Sequence, residues 1–251
     1  MALLRCDFRS DVLQLSTSMS VILPAGTAPA AGHPTLWLLH GMSDDHTAWT
    51  RQTAVERYVA DTGWAVVMPQ VDRSYYADMA HGNDYWTFVS EELPVIARSM
   101  FRLSERRADN AAAGLSMGGY GAFKLALNFP DRYRAAASLS GALDPVGLIK
   151  DDPDRRLDWH AMFGTPPRIA ETASDLFAKA NAVAEGPHAD LRLYQCCGTE
   201  DFLLENQRGF RDHAQACGLE LTYEEHAGFG HTWDYWGRQI QRVLGWLGEA
   251  C

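Results

Sequence analysis

Cysteine is scarce in this 251-residue chain and follows no recognisable pattern. The five cysteines are Cys6, Cys196, Cys197, Cys217 and Cys251, an odd number whose spacing matches neither a disulfide framework nor a zinc motif. Because unpaired thiols persist in reducing compartments, we expect a cytoplasmic protein.

Basic residues are outnumbered. The chain has 22 lysines and arginines against 32 acidic residues, and its net charge is −10. Nucleic-acid binding needs a basic surface that can contact phosphates, and the chain has no basic stripe. We therefore expect no nucleic-acid partner.

Long hydrophobic runs are missing at the N-terminus. Arg5, Asp7, Arg9 and Asp11 interrupt the first 20 residues, so we expect neither a secretory signal peptide nor a membrane span. Internal repeats and low-complexity linkers are missing too. The expected partner is a small molecule rather than a membrane, and the sequence leaves a homo-oligomer open.

Apolar residues make up 47% of the chain, enough for a large core. Continuous apolar runs at 35–39 and 64–68 are typical of strands buried on both faces. Further predicted strands (110–115, 134–139, 191–197, 219–225) alternate with predicted helices (118–128, 205–216, 233–247). This alternation predicts one α/β domain over residues 1–251, with a mainly parallel central sheet covered by helices on both faces. Residues 144–187 break the alternation and are predicted to form a small cap-like excursion.

Gly114-Leu115-Ser116-Met117-Gly118 carries the pattern G-x-S-x-G. In a strand-turn-helix context this pattern lifts a nucleophilic serine onto a sharp corner, and glycines on both sides let strand and helix approach closely. By chance a chain of this length contains the pattern about once in ten. The alternative is that Ser116 merely caps a helix in a glycine turn. The partners of a catalytic serine decide between these interpretations.

A serine hydroxyl needs a base to take its proton and an acid to orient that base. In proteins that carry the nucleophile on such a strand-turn-helix corner, the order along the chain is serine, acid, histidine. Three of the nine histidines, His213, His226 and His231, follow a plausible acid. His213 falls in a helical pattern and His226 ends a predicted strand. His231 lies in a loop between the last strand and the last helix, where the fold needs its base, and we predict it in that role.

The acid is expected just after the strand at 191–197. Glu200 and Asp201 both qualify chemically, but successive residues point apart, so only one can face the imidazole. Asp234 is a third candidate, and its position in the first turn of the last helix is typical of an acid that stabilises a helix N-terminus.

Two backbone amides are candidates for an oxyanion hole: that of Met117, after the serine, and that of Met42, in the turn Leu39-His40-Gly41-Met42. The following cluster Asp44-Asp45-His46 offers few oxygen ligands for a hard cation and is more typical of a solvated loop. We therefore predict no metal and no cofactor.

Aromatic residues are frequent near these motifs, and most of them are expected to pack in the core or at its rim. Trp233, two residues after the predicted base, and Trp86 are the candidates for walls of a substrate pocket.

Five segments together resemble the putative esterase family, which includes esterase D, S-formylglutathione hydrolase and the bacterial tributyrin esterases, and the tributyrin esterases are the most similar. The segments are Leu38–Ser43, Gly114–Gly121, Ser140–Leu143, Cys197–Leu203 and His231–Trp236.

The likeness runs from about residue 8 to about residue 247. It implies an α/β-hydrolase fold with Ser116 as nucleophile, Asp201 as acid, His231 as base, and the amides of Met42 and Met117 as the oxyanion hole. The chain departs from the family in an extra residue before the histidine, Gly230, and in segment 144–187, which has no family signature.

The expected function is that of a serine carboxylesterase that hydrolyses short-chain acyl esters through an acyl-enzyme. Residues 144–161 are rich in Asp and Arg and do not read as the apolar lid that a lipase needs. An S-formylglutathione hydrolase or an acyltransferase of the same fold stays open, although no cationic patch for glutathione carboxylates is evident near the motifs. A non-catalytic binding module is expected to have lost a triad member, and here every member is present.

Overall fold

A computed structural model of the protein describes residues 1–151 and 156–249. Its strands are β1 (Ala2–Ser10), β2 (Leu15–Leu23), β3 (Thr35–Leu39), β4 (Ala65–Pro69), β5 (Asn110–Leu115), β6 (Ala135–Leu139), β7 (Arg192–Gly198) and β8 (Leu221–His226). They form one eight-stranded sheet in the order β1-β2-β4-β3-β5-β6-β7-β8. The pairs β1–β2 and β2–β4 are antiparallel, and the pairs from β4 through β8 are parallel.

The helices are α1 (Ala48–Gln52), α2 (Val55–Val59), α3 (Tyr85–Thr87), α4 (Leu93–Met100), α5 (Met117–Asn128), α6 (Pro145–Asp151), α7 (Arg156–Phe163), α8 (Leu176–Ala184), α9 (Leu204–Ala216) and α10 (Trp233–Gly248). A π-helical turn at Phe88–Glu92 joins α3 to α4, and a 3-10 helix at Arg107–Asp109 precedes β5. The mainly parallel sheet and its helices form the α/β-hydrolase fold that the sequence predicts.

Strand β1 was not predicted, because charged residues dominate its sequence. Arg5, Asp7 and Arg9 are exposed, whereas Cys6 and Phe8 between them are half-buried. This period of two is the pattern of an edge strand with one solvent-facing side. The predicted strands that correspond to β3 through β8 agree with the structure to within two residues at each end.

The core occupies both faces of the sheet. Within β3, Trp37 and Leu39 pack into the cluster on one face, whereas Leu36 and Leu38 pack into the cluster on the other. The alanines of β5, weak strand formers, leave room for α5 to lie close to the sheet. All but the last of the 12 residues of α5 are buried.

Segment 144–187 carries α6, α7 and α8 between β6 and β7. Residues 152–155 of this predicted excursion lie outside the described residues. The excursion is tied to α5 at Ser174, whose carbonyl accepts from Tyr120 Oη at 2.9 Å and whose hydroxyl accepts from Lys124 Nζ at 2.9 Å. Across the described ranges, no helix is long and apolar enough to cross a membrane.

Candidate active site

Ser116 lies at the corner between β5 and α5, with φ of 52° and ψ of −121°. A positive φ is strained for serine, and two glycines permit the corner. A Cβ on Gly114 would lie 2.3 Å from the carbonyl oxygen of Gly118, and a Cβ on Gly118 would lie 2.4 Å from that of Leu39. The corner is tied to the next strand, because the Ser116 amide donates to the carbonyl of Leu139 at 2.9 Å.

The structure brings Ser116, His231 and Asp201 into one hydrogen-bonded chain. His231 Nε2 is 3.0 Å from Ser116 Oγ, and His231 Nδ1 is 2.9 Å and 3.1 Å from the two carboxylate oxygens of Asp201. The Asp201 side chain is fully buried, and one of its oxygens also accepts from the amide of Leu203 at 2.9 Å. With a carboxylate at Nδ1, that nitrogen is the proton-bearing one, and Nε2 is free to accept the serine proton.

Neither of the other candidate acids is hydrogen-bonded to the imidazole, whose partners are Asp201 and Ser116. Glu200 is exposed, and only its backbone is tied down, by a bond of 2.9 Å to the carbonyl of Phe229. Asp234 lies in the first turn of α10, where it pairs with Arg238 at 3.4 Å.

The other candidate bases have different partners. His213, half-buried on α9, donates through Nε2 to the carbonyl oxygen of Phe177 at 3.0 Å. His226 Nδ1 lies 3.0 Å from the hydroxyl of Tyr235, and its Nε2 lies 3.1 Å from a carboxylate oxygen of Glu224.

Met42 and Met117 both line the cavity in which Ser116 lies. Met117 is the first residue of α5, so its amide is one of the four that have no acceptor within the helix. Both residues of the predicted oxyanion hole therefore border the cavity, and the role of their amides stays a prediction.

His40 holds the peptide that carries the Met42 amide, a feature that the sequence analysis missed. Its Nδ1 lies 2.7 Å from the carbonyl oxygen of Gly41, and its Nε2 accepts from the amide of Val71 at 3.2 Å. Nδ1 is therefore the donor, and it fixes the Gly41 carbonyl on the side opposite to the Met42 N–H. Burial lowers the pKa of His40, which favours the neutral ring.

The cavity above Ser116 has a volume of about 840 Å³ and is walled by five aromatic residues: Tyr75, Trp159, Phe202, Trp233 and Trp236. Leu148 and Asp151 of α6 also line it, so the excursion contributes to the cavity. Only Trp233 was singled out from the sequence. Trp236 lies three residues further along α10, whereas Tyr75, Trp159 and Phe202 come from segments far apart in the chain, which no local pattern connects.

The prediction for Trp86 is wrong, since it is not among the described residues that line the cavity. Its ring stacks on Phe129 at 5.7 Å, and Lys124 Nζ lies 4.4 Å from its centre. Lys124 lies in the C-terminal part of α5, and Phe129 directly follows its last residue. Lys124 follows Ser116 by eight residues, about 12 Å along the helix axis.

The imidazole of His231 is flanked by two aromatic rings. Trp236 meets it edge-on, with ring centres 4.8 Å apart at 87°, and the indole N–H of Trp236 donates to Ser140 Oγ at 3.1 Å. The ring centre of Phe202, an exposed residue, lies 4.6 Å from that of His231. The buried ring of Trp236 therefore holds the base by packing in addition to its hydrogen bonds.

Charged residues border the cavity. Arg73 lines it together with Asp44 and Asp151, so a cation that the sequence analysis did not recognise does reach the site. This guanidinium is already paired, since Arg73 lies 2.6 Å from a carboxylate oxygen of Asp158. No group of three or more metal-ligating side chains occurs in residues 1–151 and 156–249.

A strained serine, an imidazole and a buried carboxylate in this order can transfer a proton from serine to histidine, which activates the serine for attack on a carbonyl carbon. The fold and this site define a serine hydrolase that acts on carboxylic esters. The chain belongs to the Putative esterase family, whose model matches residues 10–247.

Three similar proteins align with nearly the whole length of this chain. FphF, a fluorophosphonate-binding serine hydrolase of Staphylococcus aureus, has 30% identity and a TM-score of 0.89, with 98% of each chain covered. An S-formylglutathione hydrolase (FrmB) from the same organism has 30% identity and a TM-score of 0.87, again with 98% of each chain covered. The acetyl esterase of Caldicellulosiruptor saccharolyticus is 26% identical over 265 residues, 100% of this chain and 99% of that one.

Proposed function

We propose that the protein hydrolyses short-chain acyl esters with Ser116 as nucleophile, His231 as general base and Asp201 as the acid that orients it. The observation that carries this proposal is the unbroken chain of hydrogen bonds from Ser116 Oγ at 3.0 Å to His231 Nε2, and from His231 Nδ1 at 2.9 Å to Asp201.

The reaction follows from this geometry. His231 takes the proton as Ser116 Oγ attacks the ester carbon, and the negative carbonyl oxygen is stabilised by the amides of Met42 and Met117. His231 then gives the proton to the leaving alcohol, which leaves an acyl-enzyme. Water, activated by the same imidazole, releases the acid. No step needs a metal or a cofactor.

The short-chain preference is supported by the similarity to an acetyl esterase and by the aromatic walls of the cavity. Each methylene that the pocket buries contributes about 0.8 kcal/mol, and further methylenes contribute nothing once the pocket is full. We expect kcat/KM for p-nitrophenyl esters to be highest between acetate and butyrate and to fall steeply by octanoate. A preference for palmitate, or a jump in rate above the micellar threshold, would contradict the proposal.

S-formylglutathione is the second candidate substrate, favoured by the likeness to FrmB. Two observations argue against this substrate. Arg73 already forms an ion pair with Asp158, and the carboxylates of Asp44 and Asp151, which line the cavity, repel the carboxylates of glutathione. We therefore expect kcat/KM for p-nitrophenyl acetate to exceed that for S-formylglutathione. The reverse order, with a specific loss of thioester activity in Arg73→Gln, would establish the thioester as the substrate.

Three further expectations belong to the proposal. Water, not an added alcohol, is expected to be the main acyl acceptor. Product analysis in methanol-containing buffer tests this by comparing the amounts of free acid and methyl ester formed. The substrate is a small molecule, with no nucleic-acid or membrane partner, while a homo-oligomer stays open to sedimentation analysis. A cytoplasmic location is proposed because four described cysteines are free thiols, and fractionation of the source cells tests it.

A further inference from the structure

Phe202 is the most exposed large hydrophobic residue in the described part of the chain, with 72% of its surface open to solvent. It also lines the cavity that contains Ser116. A large aromatic ring that faces solvent at the mouth of such a cavity is a contact surface for a ligand, because nothing in the free protein covers it.

The loop between β7 and α9 fixes the outward direction of this ring. Asp201 and Leu203, on either side of it, both point inward and are buried. The turn is held by the Asp201 amide, which donates to the carbonyl of Gly198 at 3.2 Å, and by the Leu203 amide, which donates to the Asp201 carboxylate. The exposure of Phe202 is therefore a property of the backbone that also places the acid.

The reaction geometry decides which part of an ester meets this ring. The leaving oxygen must receive its proton from His231 Nε2, so the alcohol part of the ester lies beside the imidazole. Two rings contact that imidazole: the buried ring of Trp236 at 4.8 Å and the exposed ring of Phe202 at 4.6 Å. The acyl chain leaves the carbonyl carbon in another direction and does not need Phe202.

We propose that Phe202 is a specificity-determining residue that receives the apolar part of the alcohol, so that the enzyme favours esters of benzyl, aryl and larger alkyl alcohols over esters of small polar alcohols. This inference rests on the proposed function and adds the class of alcohol to it. Stacking and burial of a second ring against Phe202 stabilise the acylation transition state.

The test uses acetate esters, which keep the acyl group constant while the alcohol changes. For the wild type, kcat/KM for benzyl acetate is expected to exceed that for methyl acetate by about 10-fold. Phe202→Ala is expected to lower the benzyl value about 10-fold and to change the methyl value less than about 2-fold, whereas Phe202→Tyr retains the preference. Val95→Ala is the matched control, because Val95 is 67% exposed on α4 and is not among the residues that line the cavity.

A second readout separates alcohol binding from an effect on His231. Deacylation of the acetyl-enzyme, measured by stopped flow after a burst of p-nitrophenol, takes place after the alcohol has left. Phe202→Ala should leave this rate unchanged. An equal fall for methyl acetate, benzyl acetate and deacylation would overturn the inference, since it would make Phe202 a residue that positions His231. Unchanged kinetics with every ester would overturn it as well.

These outcomes are distinct from failure of the proposed function. If the wild type hydrolyses no ester, or if Ser116→Ala is as active as the wild type, the proposed function fails. If the wild type is an active Ser116-dependent esterase that does not discriminate between alcohols, only the inference about Phe202 fails.

Discussion

Replacing Asp201 by asparagine changes the proton arrangement of the site while keeping its shape. The asparagine amide oxygen can still accept from the Leu203 amide, which the carboxylate does at 2.9 Å. The amide NH₂ group would then face His231 Nδ1, which lies 2.9 Å from the nearer carboxylate oxygen. Two donors cannot face each other, so the imidazole proton moves to Nε2 and points at Ser116 Oγ. In that tautomer the base cannot accept the serine proton.

The expected loss follows from the role of this carboxylate. Removal of the acid in a triad of this kind lowers kcat by about 10⁴-fold, which is about 5.5 kcal/mol at 1.36 kcal/mol per factor of ten. KM should change little, because the Asp201 side chain is fully buried below the imidazole and does not reach the substrate. Thermal unfolding should shift by only a few degrees, since the volume and the bond to Leu203 are kept.

The assay is steady-state hydrolysis of p-nitrophenyl acetate, with the unfolding temperature as a check on integrity. Glu200→Gln is the matched control, because it removes one carboxylate at the neighbouring, exposed position. We expect Glu200→Gln to retain activity within about 2-fold. A ranking in which Glu200→Gln is inactive and Asp201→Asn is active would refute the reasoning and move the acid to Glu200.

Three further predictions test the surroundings of the site. Gly118→Ala places a Cβ 2.4 Å from the carbonyl oxygen of Leu39 and should abolish activity or soluble folding. Gly209→Ala on α9, where a Cβ meets nothing within 4 Å, should instead raise the unfolding free energy by about 0.5–1 kcal/mol. Urea titration of both variants measures this contrast, and a tolerated Gly118→Ala would contradict the close approach of the two backbones. Burial lowers the pKa of Lys124 to about 7, so between pH 7 and 8.5 the unfolded chain binds more protons than the folded one and the free energy of unfolding rises with pH, by up to about 1.4 kcal/mol per unit. Lys124→Met should flatten this slope in urea titrations across the same range, and an unchanged slope would assign it to other groups. Ester hydrolysis should be unaffected by EDTA, because the proposed mechanism uses no metal, and activity lost to EDTA and restored by zinc or calcium would argue against it.

The elements that surround the nucleophile were predictable because their sequence signals are local. β3 and β4 are continuous apolar runs, and the corner at Ser116 needs glycines at two fixed positions because strand and helix backbones come within contact of each other. The alanine-rich strand β5 has low intrinsic propensity, yet its place beside the elbow identified it.

What could not be predicted depends on tertiary contacts. Tyr75 follows β4, Trp159 lies on α7 and Phe202 precedes α9, and only the folded chain brings them to one cavity. The same holds for Trp86, which lies near the motifs in sequence but packs against the far end of α5. Strand β1 is a different case. Its charged and apolar residues alternate in the sequence as a half-buried strand requires, but its three charged residues led us to assign no strand there.

The central claim is that Ser116 carries the acyl group during turnover, and active-site labelling tests it most directly. A fluorophosphonate probe, followed by proteolysis and mass spectrometry, should modify the wild-type protein once, at Ser116, with loss of esterase activity in proportion to labelling. Ser116→Ala should bind no probe, retain its fold by circular dichroism and lose at least about 10⁴-fold in kcat. Labelling at another residue, or an active Ser116→Ala enzyme, would contradict the account.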